Sequence, residues 1–177
     1  MPQSPINTVY ESVIGVGSNL IATYGLGILL LVFALEGALI GKIIPTRALF
    51  VATVLAIGTD AIGLLSVFVV AVVGATVGQL VVFTLVRRTA VTPSTVPDRT
   101  GRIDTTRLER WFDRWGLSAI TVTNFLPVVR GTLTVPAAVT DAGYVRFSAA
   151  AFIGTALYVG ILLTFAVGLE LLVSPFV

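Results

Sequence analysis

Four ionisable side chains lie inside or at the edge of long apolar stretches: Glu36, Lys42, Arg47 and Arg130. A charge at the centre of a bilayer costs about 3 kcal/mol on insertion scales, and such residues are functional-site candidates by default. Glu36 closes an unbroken apolar run from Leu29 to Leu35. Desolvation disfavours the charged form of a carboxylate, which makes Glu36 a candidate for proton coupling or for gating. The other reading is a structural ion pair with Arg130 or Arg47. Arg130 lies between Pro127 and Pro136. Arginine stays charged and grips phosphate in a bidentate fork. Free backbone N–H groups at a broken helix add affinity for an anion. Arg130 is therefore the leading candidate for contact with a lipid phosphate. Arg47, two residues after Pro45, is either a second phosphate contact or a side chain snorkelling to the outer interface. Lys42 fits snorkelling better.

Polar residues extend the set. Asn124, Gln79 and Thr132 are placed to line a polar path, and Asn124 is grouped with the arginines as a substrate contact. Asp60 and Asp141 each precede an apolar span. Their first role is to cap a helix N-terminus, with membership of the site as a secondary role.

Other chemistry is excluded. There are no histidines and no cysteines among the 177 residues. Serine–histidine triads, imidazole zinc sites, disulfides and thiol nucleophiles are thereby absent. No catalytic residue, metal ligand or cofactor motif is assigned, and the chain is not expected to be an enzyme. Nucleic acid is not an expected partner.

Composition says where these residues sit. The chain is 56% hydrophobic and 11% charged, against about 25% charged in a soluble domain. Its mean hydropathy is +1.01. A soluble domain of this size leaves too much surface wet to hide that much apolar area. The sequence reads as an all-α integral membrane protein forming a single membrane domain over 1–177.

Three stretches carry no charge: Ser12 to Leu35, Ala61 to Val86 and Phe147 to Leu169, of 24, 26 and 23 residues. About 20 residues suffice to span the hydrocarbon as a helix, so each is expected to cross. Within the first, residues 5–19 read as an amphipathic or partly inserted helix, and the true span starts near Tyr24. The start of the chain lacks the basic residues of a cleaved signal.

Two further apolar stretches, about 36–59 and about 116–140, are interrupted by prolines and charges. Proline in a helix removes a hydrogen bond and kinks it. Broken backbone survives at membrane depth only when buried in protein or lining a wet cavity. Both stretches are expected to be re-entrant hairpins, inside halves covering 24–86 and 116–173.

Between the halves, residues 87–115 hold seven of the eleven basic residues. The positive-inside rule places this loop in the cytoplasm. Leu108, Trp111, Phe112 and Trp115 recur at helical spacing with arginines alongside, which suits an amphipathic helix lying in the interface. Gly116 fits its stop.

The halves echo one another. Thr59-Asp60-Ala61 recurs as Thr140-Asp141-Ala142, and Pro45 and Pro127 precede these tripeptides by 14 and 13 residues. An arginine follows each proline. With the central loop inside, the hairpins face opposite sides of the membrane, giving an inverted repeat with a site between them at mid-depth.

The segments Leu29 to Phe50 and Gly116 to Ala138 resemble the two hairpins of the DedA family, also called the SNARE-associated or VTT-domain family. Val73 to Arg88 is similar to its first long helix, and Phe147, Gly154 and Tyr158 match its closing helix. The resemblance runs over roughly 24–170. It implies facing re-entrant hairpins in the cell membrane and movement of lipids such as polyprenyl phosphates or phospholipids. It also implies functional roles for Glu36 and Arg130, with a link to proton-motive force. The chain departs from the family pattern in four places, one of them Ala138 where the family's turn has a glycine. Arg47 stands where the family has an acid, Asn124 where it has an arginine, and Gln79 where it often has an aspartate.

The expected function is a lipid flippase or scramblase whose partners are membrane lipids and their phosphate headgroups. A small-solute or ion transporter and a non-transporting scaffold remain open alternatives. Glycine-rich helix faces permit a homodimer.

Overall fold

The computed structural model describes residues 15, 24–38, 46–57, 60–89, 110, 114–127, 129–138, 140 and 142–173. Six helices carry the described chain: α1 (Gly27–Gly37), α2 (Thr46–Ile57), α3 (Ala61–Thr89), α4 (Leu117–Phe125), α5 (Thr134–Ala138) and α6 (Tyr144–Val173). No strand occurs among the described residues.

Two helices are long. α3 has 29 residues and α6 has 30, or about 44 Å each at 1.5 Å per residue, well beyond a hydrocarbon core of about 30 Å. Their most apolar windows have mean hydropathies of 2.4 and 2.1, and only a third or so of each window is buried inside the protein. The outward face of α3 is a stripe of Leu65, Val69, Val73, Val77, Val81 and Leu85, all exposed. A soluble core helix would bury such a stripe; one facing lipid leaves it bare. This is the architecture of a membrane protein.

Each of the other helices is too short to cross alone. α1 has eleven residues and α2 twelve, or roughly 17 Å each. The first uncharged stretch differs from expectation here. Gly25 takes φ +60°, which a continuous right-handed helix does not contain, and α1 begins after it. Glu36 lies in the last turn of α1, so the first short-helix pair starts at Gly27 rather than at 36. In the second half α4 and α5 fall within the expected 116–140.

Packing divides the molecule into two cores. One joins Leu29 and Phe33 of α1, Phe50 and Val54 of α2, the first half of α3 and the second half of α6. The other joins α4, α5, the second half of α3 and the first half of α6. The two long helices are therefore antiparallel, and each core holds one pair of short helices. α1 packs on α3, and α4 packs on α6. Glycine permits both contacts. A Cβ at Gly74 would lie 2.6 Å from the Leu30 carbonyl oxygen and 3.2 Å from Phe33 Cβ. A Cβ at Gly154 would strike the Thr121 carbonyl oxygen and lie 2.8 Å from Asn124 Cβ.

At the far ends, Asp60 Oδ2 accepts the Gly63 N–H at 2.8 Å, capping α3. Arg87 donates to the Ala142 carbonyl at 2.6 Å and sits over the rings of Phe83 and Tyr144. Gly116, at φ +55° and ψ −134°, is the N-cap of α4 in a backbone region suited to glycine. Arg110, Arg114 and Trp115 are helical, and Trp115 is exposed. Leu108, Trp111 and Phe112 of the expected amphipathic helix, the 5–19 helix apart from Gly15, Lys42, Pro45 and Asp141 lie outside the described residues.

Candidate functional site

The polar side chains of the interior gather at the seam between the two cores. Tyr158 is the fifteenth of the thirty residues of α6, so it sits at mid-length, about 22 Å from either end. Its ring lies under the Arg130 guanidinium, with Cζ 4.4 Å from the ring centroid, a cation–π arrangement. Its hydroxyl accepts the Arg47 Nε–H at 3.0 Å.

Each arginine reaches from one pair of short helices to the other. Arg130, in the turn before α5, donates from Nη1 to Glu36 Oε1 on α1 at 3.2 Å. Arg47, in the first turn of α2, donates from Nη2 to the Pro127 carbonyl just past α4 at 2.9 Å. The two tethers are mirror-like: Glu36 lies three residues after Phe33, and Pro127 three after Asn124. Phe33 and Asn124 are the residues that meet Gly74 and Gly154.

The two cations differ in exposure. The Arg130 side chain is 7% exposed and that of Glu36 17%, while Arg47 is exposed. Arg130 Nη2 and Glu36 Oε2 are buried with no hydrogen-bond partner, as are Thr134 Oγ1 and Thr155 Oγ1. Thr155 is one turn before Tyr158, on the same side of α6. Buried polar groups are ordinarily paired, so Arg130 Nη2 and Glu36 Oε2, on two residues already in contact, mark a place fitted for a polar guest; Glu170 Oε2, further along α6, is also unpaired. One carboxylate against two guanidiniums leaves a net charge of about +1 if all three are ionised. The guest this suits is an anion.

A second buried contact supports the site from α3. Gln79 and Asn124 form a reciprocal amide pair, Gln79 Nε2 to Asn124 Oδ1 at 3.1 Å and Asn124 Nδ2 to Gln79 Oε1 at 2.9 Å. Asn124 Oδ1 also accepts the Gly131 N–H at 3.1 Å, next to Arg130. Gly131 has φ +75°, a conformation suited to glycine. Asn124 is thus engaged with the protein on both its amide oxygen and its nitrogen.

The structure brings together Glu36, Arg47, Arg130 and, through Gly131, Asn124. Asp60 is not among them, since 19 residues of α3, about 28 Å, separate it from Gln79. Among the described residues no cluster of side chains suits a metal ion.

Residues 44–168 match the family model of the VTT domain. The chain belongs to the VTT-domain (DedA) family. This VTT-domain chain is also 25% identical, over 148 residues, to a protein of Staphylococcus aureus (strain NCTC 8325 / PS 47) named undecaprenyl phosphate transporter A. That match covers 80% of this chain and 72% of the relative. No solved structure matches it. Arg47, Gln79, Asn124, Arg130 and Tyr158 of this VTT-domain chain lie within the family match, and Glu36 lies just before it.

Tyr158 and the buried Thr134 and Thr155 were not separable from their surroundings in the sequence. Tyr158 stood out only as an aromatic at a family position. Its signal is a phenol at the middle of an uncharged span, where a buried hydroxyl needs a partner. Thr134 and Thr155 gave no signal, because threonines in apolar helices usually bond back to the preceding turn, as Thr76 and Thr84 do here.

Proposed function

We propose that this chain moves phosphate-bearing lipids, such as polyprenyl phosphate or phospholipids, across the cell membrane as a flippase or scramblase. The observation that carries this is that the buried Arg130–Glu36 ion pair leaves one atom on each partner, Arg130 Nη2 and Glu36 Oε2, without a hydrogen bond. A phosphate oxygen completes the arginine. It also competes with Glu36 for the same guanidinium, so binding loosens the tether between the two pairs of short helices.

The transport architecture is an inverted repeat. In this reading α1 with α2, and α4 with α5, form two re-entrant hairpins, each followed by a spanning helix. The contacts support it. α1 lies on α3 as α4 lies on α6, and α2 lies on α6 as α5 lies on α3. Leu30 and Phe33 meet Gly74 as Thr121 and Asn124 meet Gly154. With residues 87–115 cytoplasmic, rocking of one hairpin against the other exposes the seam to alternate faces. Arg47 is the accessible member. An exposed guanidinium at mid-span is costly in lipid, which favours a wet or headgroup-filled opening beside it. The printed name of the staphylococcal relative supports a polyprenyl phosphate as one substrate.

The test is reconstitution into proteoliposomes with a fluorescent polyprenyl phosphate and a fluorescent phospholipid, reading headgroup access from outside. Wild type moves at least one of them, and Arg130→Ala slows it by about tenfold or more, as expected for losing a charge-assisted phosphate contact. Movement of neither lipid by folded protein, with and without a pH gradient, overturns the proposal.

A further inference from the structure

Arg47 and Arg130 come from different pairs of short helices, and neither would hold a fixed distance from the other unaided. An exposed arginine has many rotamers to lose on ordering. One side chain of α6 meets both. Tyr158 accepts the Arg47 Nε–H with its hydroxyl at 3.0 Å and presents its ring face to Arg130 at 4.4 Å. The second anchor of Arg47 is the Pro127 carbonyl at 2.9 Å, three residues before Arg130. With both bonds made, the Arg47 guanidinium is locked at the edge of the seam. The Arg130 guanidinium stands within it, with Nη2 free.

We propose that Tyr158 is a positioning residue that turns the two arginines into one clamp for a single phosphate group. The phenol acts through Arg47, and the ring supports Arg130. This rests on the phosphate-lipid reading above. Pre-ordering cuts the entropy lost when the anion binds, so the effect of Tyr158 falls on affinity. Loss of the hydroxyl frees Arg47 without removing its charge. Loss of the ring also removes the face on which Arg130 lies.

The test is transport in phosphatidylcholine proteoliposomes, with the rate measured against the concentration of a fluorescent polyprenyl phosphate. The proteins are the wild-type chain, Tyr158→Phe, Arg47→Ala, their double variant, Arg47→Lys and Arg130→Ala. Tyr158→Phe is expected to raise the half-saturating concentration about tenfold, the scale of one hydrogen bond to a charged group. Its maximal rate is largely kept, whereas a purely structural defect would lower the maximal rate and leave half-saturation alone. Arg47→Ala is expected to raise half-saturation at least as far. Because Tyr158 acts through Arg47, the double variant stays within about twofold of Arg47→Ala. Arg47→Lys keeps the charge but not the fork that holds Tyr158 and Pro127 together, and reproduces the Tyr158→Phe shift independently of any folding defect at 158.

Half-saturation unchanged in both Tyr158→Phe and Arg47→Lys overturns the proposal, as does a double variant in which the two losses multiply. If Arg130→Ala still abolishes transport in that case, the phosphate-lipid reading stands and only the role of Tyr158 falls. Wild-type-like transport by Arg130→Ala removes both.

Discussion

Glu36→Gln isolates the charge of the seam's ion pair. Glutamine keeps the length of the side chain and an oxygen that accepts from Arg130 Nη1, and loses only the negative charge. At 3.2 Å, two unit charges attract by about 5 kcal/mol at an effective dielectric constant near 20, from 332/(20 × 3.2). Desolvation opposes this by several kcal/mol per ion, and it applies here because the side chains are 7% and 17% exposed. The intact pair is therefore near break-even. The single variant is not, because it leaves a guanidinium buried without its counter-charge. Breaking such a pair costs about 3–5 kcal/mol. The retained hydrogen bond and the partial exposure of Glu36 place Glu36→Gln at the lower end, about 3 kcal/mol. Arg130→Gln should cost a similar amount. The double variant removes both charges and should cost about 2 kcal/mol less than the sum. The assay is reversible unfolding in mixed detergent micelles, with and without inorganic phosphate. Phosphate should stabilise Glu36→Gln more than wild type, because no carboxylate then competes for Arg130. Losses that add to within about 0.5 kcal/mol would show that the two groups do not interact. Equal phosphate effects on both proteins would show that the carboxylate and the anion do not share Arg130.

Two further perturbations test the frame around the site. Gln79→Leu leaves the buried amide of Asn124 without its partner and should cost about 1–3 kcal/mol, seen as a lower unfolding midpoint, with weaker transport because Asn124 also holds the Gly131 N–H. Gly78→Ala would drive a Cβ into the Ala34 carbonyl and its peptide, displacing α1 and Glu36 with it. It should cost about 1–3 kcal/mol, whereas Gly160→Ala, whose Cβ would meet only Phe68 Cε2 at 3.9 Å, should leave the thermal midpoint unchanged.

Much of this was readable along the chain, and the reason differs from residue to residue. α3 and α6 were evident because a span needs only length and an absence of charge, both local properties. Glu36 and Arg130 stood out because a charge in an apolar run has to be accounted for. The ion pair between them was one alternative among several, since 94 residues separate the partners and nothing local selects Arg130 over Arg47. The expected span from near Tyr24 is instead the eleven-residue α1, Gly27–Gly37, too short to cross alone. Gly25 breaks the helix through its φ, while to hydropathy it is one more small residue in an uncharged run. Asn124 was grouped with the substrate contacts, and its hydrogen bonds to Gln79 and Gly131 were not legible in the sequence. A one-dimensional pattern shows that a polar group is present, and not which other polar group satisfies it.

The solvent, the two long helices and the inventory of charges can be read along the chain, because transfer free energies and proline sterics act residue by residue. Which charges meet follows from the packing of the helices. Antiparallel packing of α3 against α6, allowed by glycines where backbones touch, sets the two pairs of short helices against one seam. There Arg47 and Arg130 meet Tyr158 across 111 residues of chain in one case. Contacts of that kind arise from packing geometry rather than local preference, and they turn scattered polar residues into a site.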